Sequence, residues 1–109
     1  MRYVTKDFLS QSPEESGSVI CKITTARVKD ITVYNVREGG RIDGSLRIAD
    51  CSEHIELDFY AVGQKSFDKR VEKLDTLLEK IQAMRNQYVT LWENHQRDIE
   101  FYKKKEGIE

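Results

Sequence analysis

The sequence predicts an α+β domain: an antiparallel sheet of about four strands packed on one long C-terminal α-helix that extends to form an oligomer interface. Three observations carry this. Residues 19–36 are rich in β-branched side chains, residues 42–61 fit a hairpin register with one apolar face, and residues 64–106 contain neither glycine nor proline. At 109 residues the chain is one domain with a single core, organised as an N-terminal segment and loop (1–18), a sheet (19–62) and a helix (64–106).

The first nine residues, MRYVTKDFL, place Tyr3, Val4, Phe8 and Leu9 in a pattern that fits a short strand or a turn of helix equally well. The following SQSPEESGS holds the only proline, Pro13, among serines and glutamates, and reads as a solvated loop where truncation costs little. From Val19 onward the segments VICKITTARV and ITVYNV read as two strands, or one long strand bent near Lys29-Asp30, and the Gly39-Gly40 pair ends them.

Pairing Ile48 with Ile55 sets Leu46 opposite Leu57, Gly44 opposite Phe59 and Ile42 opposite Ala61, with Asp50-Cys51-Ser52-Glu53 as the connection. Every inward position is then apolar or glycine. The other face pairs Arg47 with Glu56, Ala49 with His54 and Ser45 with Asp58. A slip of one residue would bury Arg47 and Glu56, so burial selects this register.

Ser66 is placed to cap the helix start, Lys103 to Lys105 occupy its last turn and Gly107 follows it, in agreement with the helix dipole. Residues 66–106 would span roughly 60 Å at about 1.5 Å per residue. Phe67, Val71, Leu74, Leu78, Ile81, Arg85, Tyr88, Trp92, His95, Ile99 and Tyr102 follow at alternating spacings of four and three, a heptad seam without a skip. Leu77, Met84 and Leu91 recur every seven residues beside it and widen the stripe.

The aliphatic first half, Val71 to Ile81, is expected to cover Leu46, Ile48, Ile55, Leu57 and Phe59 on the sheet. The second half turns aromatic with polar tips, which suits an interface. Arg85, Tyr88, Leu91, Trp92, His95, Ile99 and Tyr102 are therefore the expected partner or oligomer contacts, with Arg85 and His95 fixing register. The competing reading is a helix that breaks near Arg85-Asn86-Gln87 and folds back as a hairpin.

Composition narrows the functional classes. Apolar residues make up 39% and charged residues 34%, with a formal charge of −1, so no global attraction to nucleic acid or an anionic membrane exists. No apolar run reaches the roughly 18 to 20 residues of a membrane span. The two cysteines, Cys21 and Cys51, lack metal spacing and no signal-like segment precedes the sheet, which points to a reducing cytoplasm.

The stretch REGGRIDGS (37–45) has two glycines at phosphate-loop spacing, but no lysine follows Gly44 and a strand follows where a helix should. It reads as a turn. His54 and His95 have no partner at metal spacing, and no Ser/His/Asp or Cys/His order stands out, so neither catalytic residue, metal nor cofactor is assigned.

The preferred reading is a small non-enzymatic binding protein of inhibitor, adaptor or assembly type, acting as a homo-oligomer with a protein partner. Phage and mobile-element accessory proteins share this scale. The alternative is nucleic-acid binding by a basic strand face of Arg27, Lys29, Tyr34, Arg37, Arg41 and Arg47. The third is sequestration of a small anion near Arg37 and Arg41.

Overall fold

The computed structural model describes residues 1–9, 17–50 and 53–108. The expected Pro13 loop and the Cys51 turn lie outside these residues. Element order is β1 (Arg2–Phe8), β2 (Ser18–Thr25), a 3-10 turn (Val28–Asp30), α1 (Val33–Glu38), β3 (Arg41–Asp50), β4 (Glu53–Asp58), β5 (Ala61–Val62) and α2 (Gly63–Glu106). The chain divides into two compact units, Met1–Glu72 and Lys73–Glu109.

The first unit is built on an antiparallel sheet in the order β1-β2-β3-β4, with β5 pairing the start of β3. The ambiguous N-terminal segment is a strand, held along its length by β2 from Arg2 opposite Thr24 to Phe8 opposite Ser18. At its start the Met1 ammonium donates to the Thr25 carbonyl at 2.6 Å, and the Thr25 amide donates back to the Met1 carbonyl at 2.8 Å.

The β3–β4 register is the expected one: Ile48 faces Ile55, Leu46 faces Leu57, Arg47 faces Glu56, and Ile42 meets Ala61 of β5. Beyond the β4 end, the Phe59 amide donates to the Gly44 carbonyl at 2.8 Å. A Cβ at Gly44 would sit 3.4 Å from that of Phe59, so the two chain segments meet closely at this buried glycine. Phe59 and Ala61 are the two buried hydrophobic residues among those described, at 7% and 2% exposure. The core of this unit therefore sits where Gly44, Phe59 and Ala61 meet.

The segment ITVYNV departs from its expected strand. Thr32 takes an extended backbone and its hydroxyl accepts from the Asn35 amide at 3.3 Å, while Asn35 Oδ1 accepts from the Thr32 amide at 3.0 Å. This reciprocal capping box opens α1. At the other end Gly39 is left-handed (φ 82°), its amide donates to the Val36 carbonyl, and the Gly40 amide donates to the Asn35 carbonyl, both at 3.1 Å. The two bonds form a Schellman closure. Backbone groups of this short segment are thus satisfied locally at both ends, and β propensity, which depends on packing against neighbouring strands, has nothing to act on because Val33, Tyr34 and Val36 are exposed. Thr32→Ala should lower the unfolding free energy by about 1 kcal/mol, with Thr32→Ser retaining most of it, as read by urea denaturation.

The long helix is continuous from Gly63 to Glu106, 44 residues, with no break near Asn86. It begins three residues before the expected cap. Gly63, at φ 80°, makes the entry, its amide donating to the Gly40 carbonyl at 2.9 Å. Ser66 acts from inside the helix, its hydroxyl accepting from the Val62 amide at 3.3 Å. At the C-terminus Gly107 is left-handed (φ 68°) and the Ile108 amide donates to the Lys103 carbonyl, as expected.

In the first half of α2, Leu78 and Ile81 are 65% and 51% exposed, Val71 and Leu74 are 38% exposed each, and Leu77 is half-buried. Along the apolar sheet face, Tyr3, Ile23 and Ile55 are exposed while Leu46, Ile48 and Leu57 are half-buried.

Candidate interaction surface

The Lys73–Glu109 unit consists of helix and its C-terminal cap, so its apolar side chains have only their own helical neighbours within the unit. Cβ atoms of an α-helix line up at i, i+3, i+4 and i+7, and the heptad seam read from the sequence therefore forms one stripe along α2. Most of it faces solvent. Met84, Tyr88, Leu91, Trp92 and Tyr102 are all more than half exposed, Tyr88 at 74%, whereas Ile99 is half-buried.

Inside the stripe, the Trp92 and His95 rings, one turn apart, make a tilted contact with centroids 6.3 Å apart and planes at 49°. Arg85 points to the rim, where Nη1 reaches Asn86 Oδ1 at 3.4 Å, and Asn86 Oδ1 also accepts from Gln82 Nε2 at 3.1 Å. The opposite side carries exposed polar pairs, including Arg97 with Asn94 and Lys103 with Glu100 at 3.7 Å. Exposed pairs of this kind stabilise weakly. Phe101, 70% exposed, interrupts that polar side, seven residues on from Asn94. Val89 joins the exposed apolar residues on the second flank of the seam, a position its own seven-residue register of Asp75, Gln82 and Gln96 gave no reason to single out.

The six residues of the expected basic strand face are distributed over different elements. Arg27 precedes the 3-10 turn, Lys29 lies in it, and Tyr34 and Arg37 belong to α1; only Arg41 and Arg47 are on a strand. Arg47 stands opposite Glu56 in the sheet. Arg41 is engaged: its Nη2 donates to both Glu38 carboxylate oxygens, at 2.8 and 3.0 Å, and its guanidinium lies 5.8 Å from the centre of the Tyr60 ring. Hydrogen bonding to Glu38, its negative charge and Tyr60 together hold the Arg41 pKa above its ordinary value. The positive charge expected for anion capture at the glycine turn therefore already has a carboxylate partner, Glu38, from the end of α1. Arg37 remains exposed in the last turn of α1, where a cation favours the helix dipole.

Beside Arg41, a cleft of about 580 Å³ is lined by Thr24, Thr25, Ile31, Asn35, Val36 and Asp43. Asn35 is committed to the α1 cap. Among the described residues no group of three or more His, Cys, Asp or Glu is placed to hold a metal ion, and no helix is long and apolar enough to cross a membrane. His54 is exposed on β4, opposite Ala49, and Cys21 is a half-buried free thiol on β2. No protein-family model, curated protein or solved structure matches the chain.

Proposed function

We propose that this chain is a non-enzymatic, self-associating protein-binding module of the inhibitor, adaptor or assembly kind, acting in the cytoplasm, whose interface is the apolar stripe of α2. The observation that supports the reading most is the uninterrupted heptad seam of a 44-residue helix whose large apolar residues are exposed in the single chain. Helices in water derive most of their stability from packing an amphipathic face, and exposed apolar patches of this extent mark interaction sites. Full burial of one Leu or Ile side chain contributes about 1.5–3 kcal/mol, so a few such contacts exceed the several kcal/mol that association costs.

The aromatic second half, Tyr88, Trp92, His95 and Tyr102, combines large apolar area with polar tips, the residue chemistry enriched at hot spots of protein interfaces. Light scattering behind size exclusion at micromolar concentration is expected to give twice the chain mass or more. A Leu78→Asp, Trp92→Asp variant is expected to give the single-chain mass. A wild-type protein that elutes with the mass of one chain would remove self-association from the proposal.

A further inference from the structure

We infer that the partner on the α2 stripe is a second copy running antiparallel, with the two-fold axis level with Ala83; this rests on the self-association proposed above and specifies its geometry. Ala83 lies within two residues of the middle of Gly63–Glu106, so the two helices overlap over nearly their full length.

A parallel, in-register pair would set every seam residue against its own copy. Arg85 would meet Arg85, and the Trp92 layer would hold two indoles, while Leu74 would meet only Leu74. Like charges would share a layer, and the layers would be thin through the first half and overfilled at Tyr88 and Trp92 in the second. Antiparallel packing about Ala83 pairs Leu74 with the partner's Trp92, Leu78 with the partner's Tyr88 and Ile81 with the partner's Arg85. Each aliphatic residue of the first half then meets a long or aromatic residue of the second, and the two Arg85 side chains fall in separate layers with their heads free to reach the rim.

The flank decides in the same direction. In coiled coils the position before the first seam residue of each heptad meets its own kind in an antiparallel pair, and the residue on the opposite flank in a parallel one. Antiparallel packing therefore joins Leu77 to the partner's Leu91 and Met84 to the partner's Met84. Parallel packing would join Met84 to the partner's Val89 but place Leu77 and Leu91 against Gln82 and Gln96, so one of these three residues gains an apolar flank contact where antiparallel packing gives one to each. Charge complementarity supports a second copy as the occupant: at the ends of the same flank Arg70, whose Nε donates to the Tyr60 carbonyl at 2.9 Å, falls opposite the partner's Asp98 with its terminal N–H groups left to pair.

Spin labels on the outer face test the orientation. In a Cys21→Ser, Cys51→Ser background, Arg97→Cys and Lys104→Cys labels should be about 40 Å and about 60 Å from their copies, because label separation grows by roughly 3 Å for each residue away from the axis. A parallel pair would give about 20 Å at both positions, the width of two helices. That outcome overturns the antiparallel assignment and leaves self-association standing. Absence of dipolar coupling together with a single-chain mass by light scattering overturns both. Circular dichroism of each labelled protein confirms that the helix is intact, and either label position alone separates the orientations.

Discussion

Phe59→Ala should lower the unfolding free energy by about 3–5 kcal/mol, the cost of removing a large aromatic side chain from a packed site. Phe59 is one of two buried hydrophobic residues among those described, and it lies against Gly44 of β3. The other, Ala61, is too small to share the loss. Small domains have about 5–15 kcal/mol of stability in total, so this one change removes a large part of it. Urea denaturation followed by circular dichroism reads the effect, and Phe8→Ala, at an exposed phenylalanine on β1, provides the control with a change of about 0.5 kcal/mol or less. If the two variants lose stability equally, Phe59 is not the centre of the core.

Gly63→Ala is the second large effect. The residue has φ 80°, and a Cβ there would lie 2.9 Å from the Glu38 carbonyl oxygen, closer than carbon and oxygen normally approach. Left-handed backbone costs a non-glycine residue about 1–3 kcal/mol, and relieving the overlap would shift either the end of α1 or the start of α2. The Gly63 amide also donates to the Gly40 carbonyl, so such a shift strains the bond that ties the helix entry to the glycine turn. Gly107→Ala separates the two terms. Gly107 has φ 68° with nothing within 4 Å of the added carbon, so that variant carries the conformational cost alone. The expected result is a larger fall in melting temperature for Gly63→Ala than for Gly107→Ala; equal falls would mean that the Glu38 contact relaxes freely.

The β3–β4 register was readable because alternation over a half-buried hairpin admits one alignment, and a slip of one residue exchanges Leu46 and Ile48 for Arg47. The long helix was readable for a similar reason: a heptad seam without glycine or proline over four tens of residues has no competing period. The segment Thr32–Val36 was misread because its composition favours strand while its caps favour helix. The decisive bonds are local, between Thr32 and Asn35 and at Gly39, but an Asn in the reciprocal position is a weaker sequence signal than the usual Glu or Gln. The candidate interface residues on α2 were legible as a stripe, since helical periodicity alone puts them together. The basic group was legible only as a composition bias, since its members fall on a 3-10 turn, a short helix and a strand.

By itself, then, the sequence determined the periodic features: which residues share a face of the hairpin, which share a face of the long helix, and where glycines must interrupt both. Those follow from backbone geometry, which repeats along the chain and needs no distant contact to be computed. Tertiary structure alone decided which of those faces are buried. Phe59 and Ala61 are enclosed beside Gly44, Arg41 is paired with Glu38 beside the Tyr60 ring, and Tyr88, Leu91 and Trp92 of α2 are exposed. Burial depends on which surfaces meet in three dimensions, and hydrophobic patterning is the same whether the surface that meets a stripe belongs to its own chain or to another.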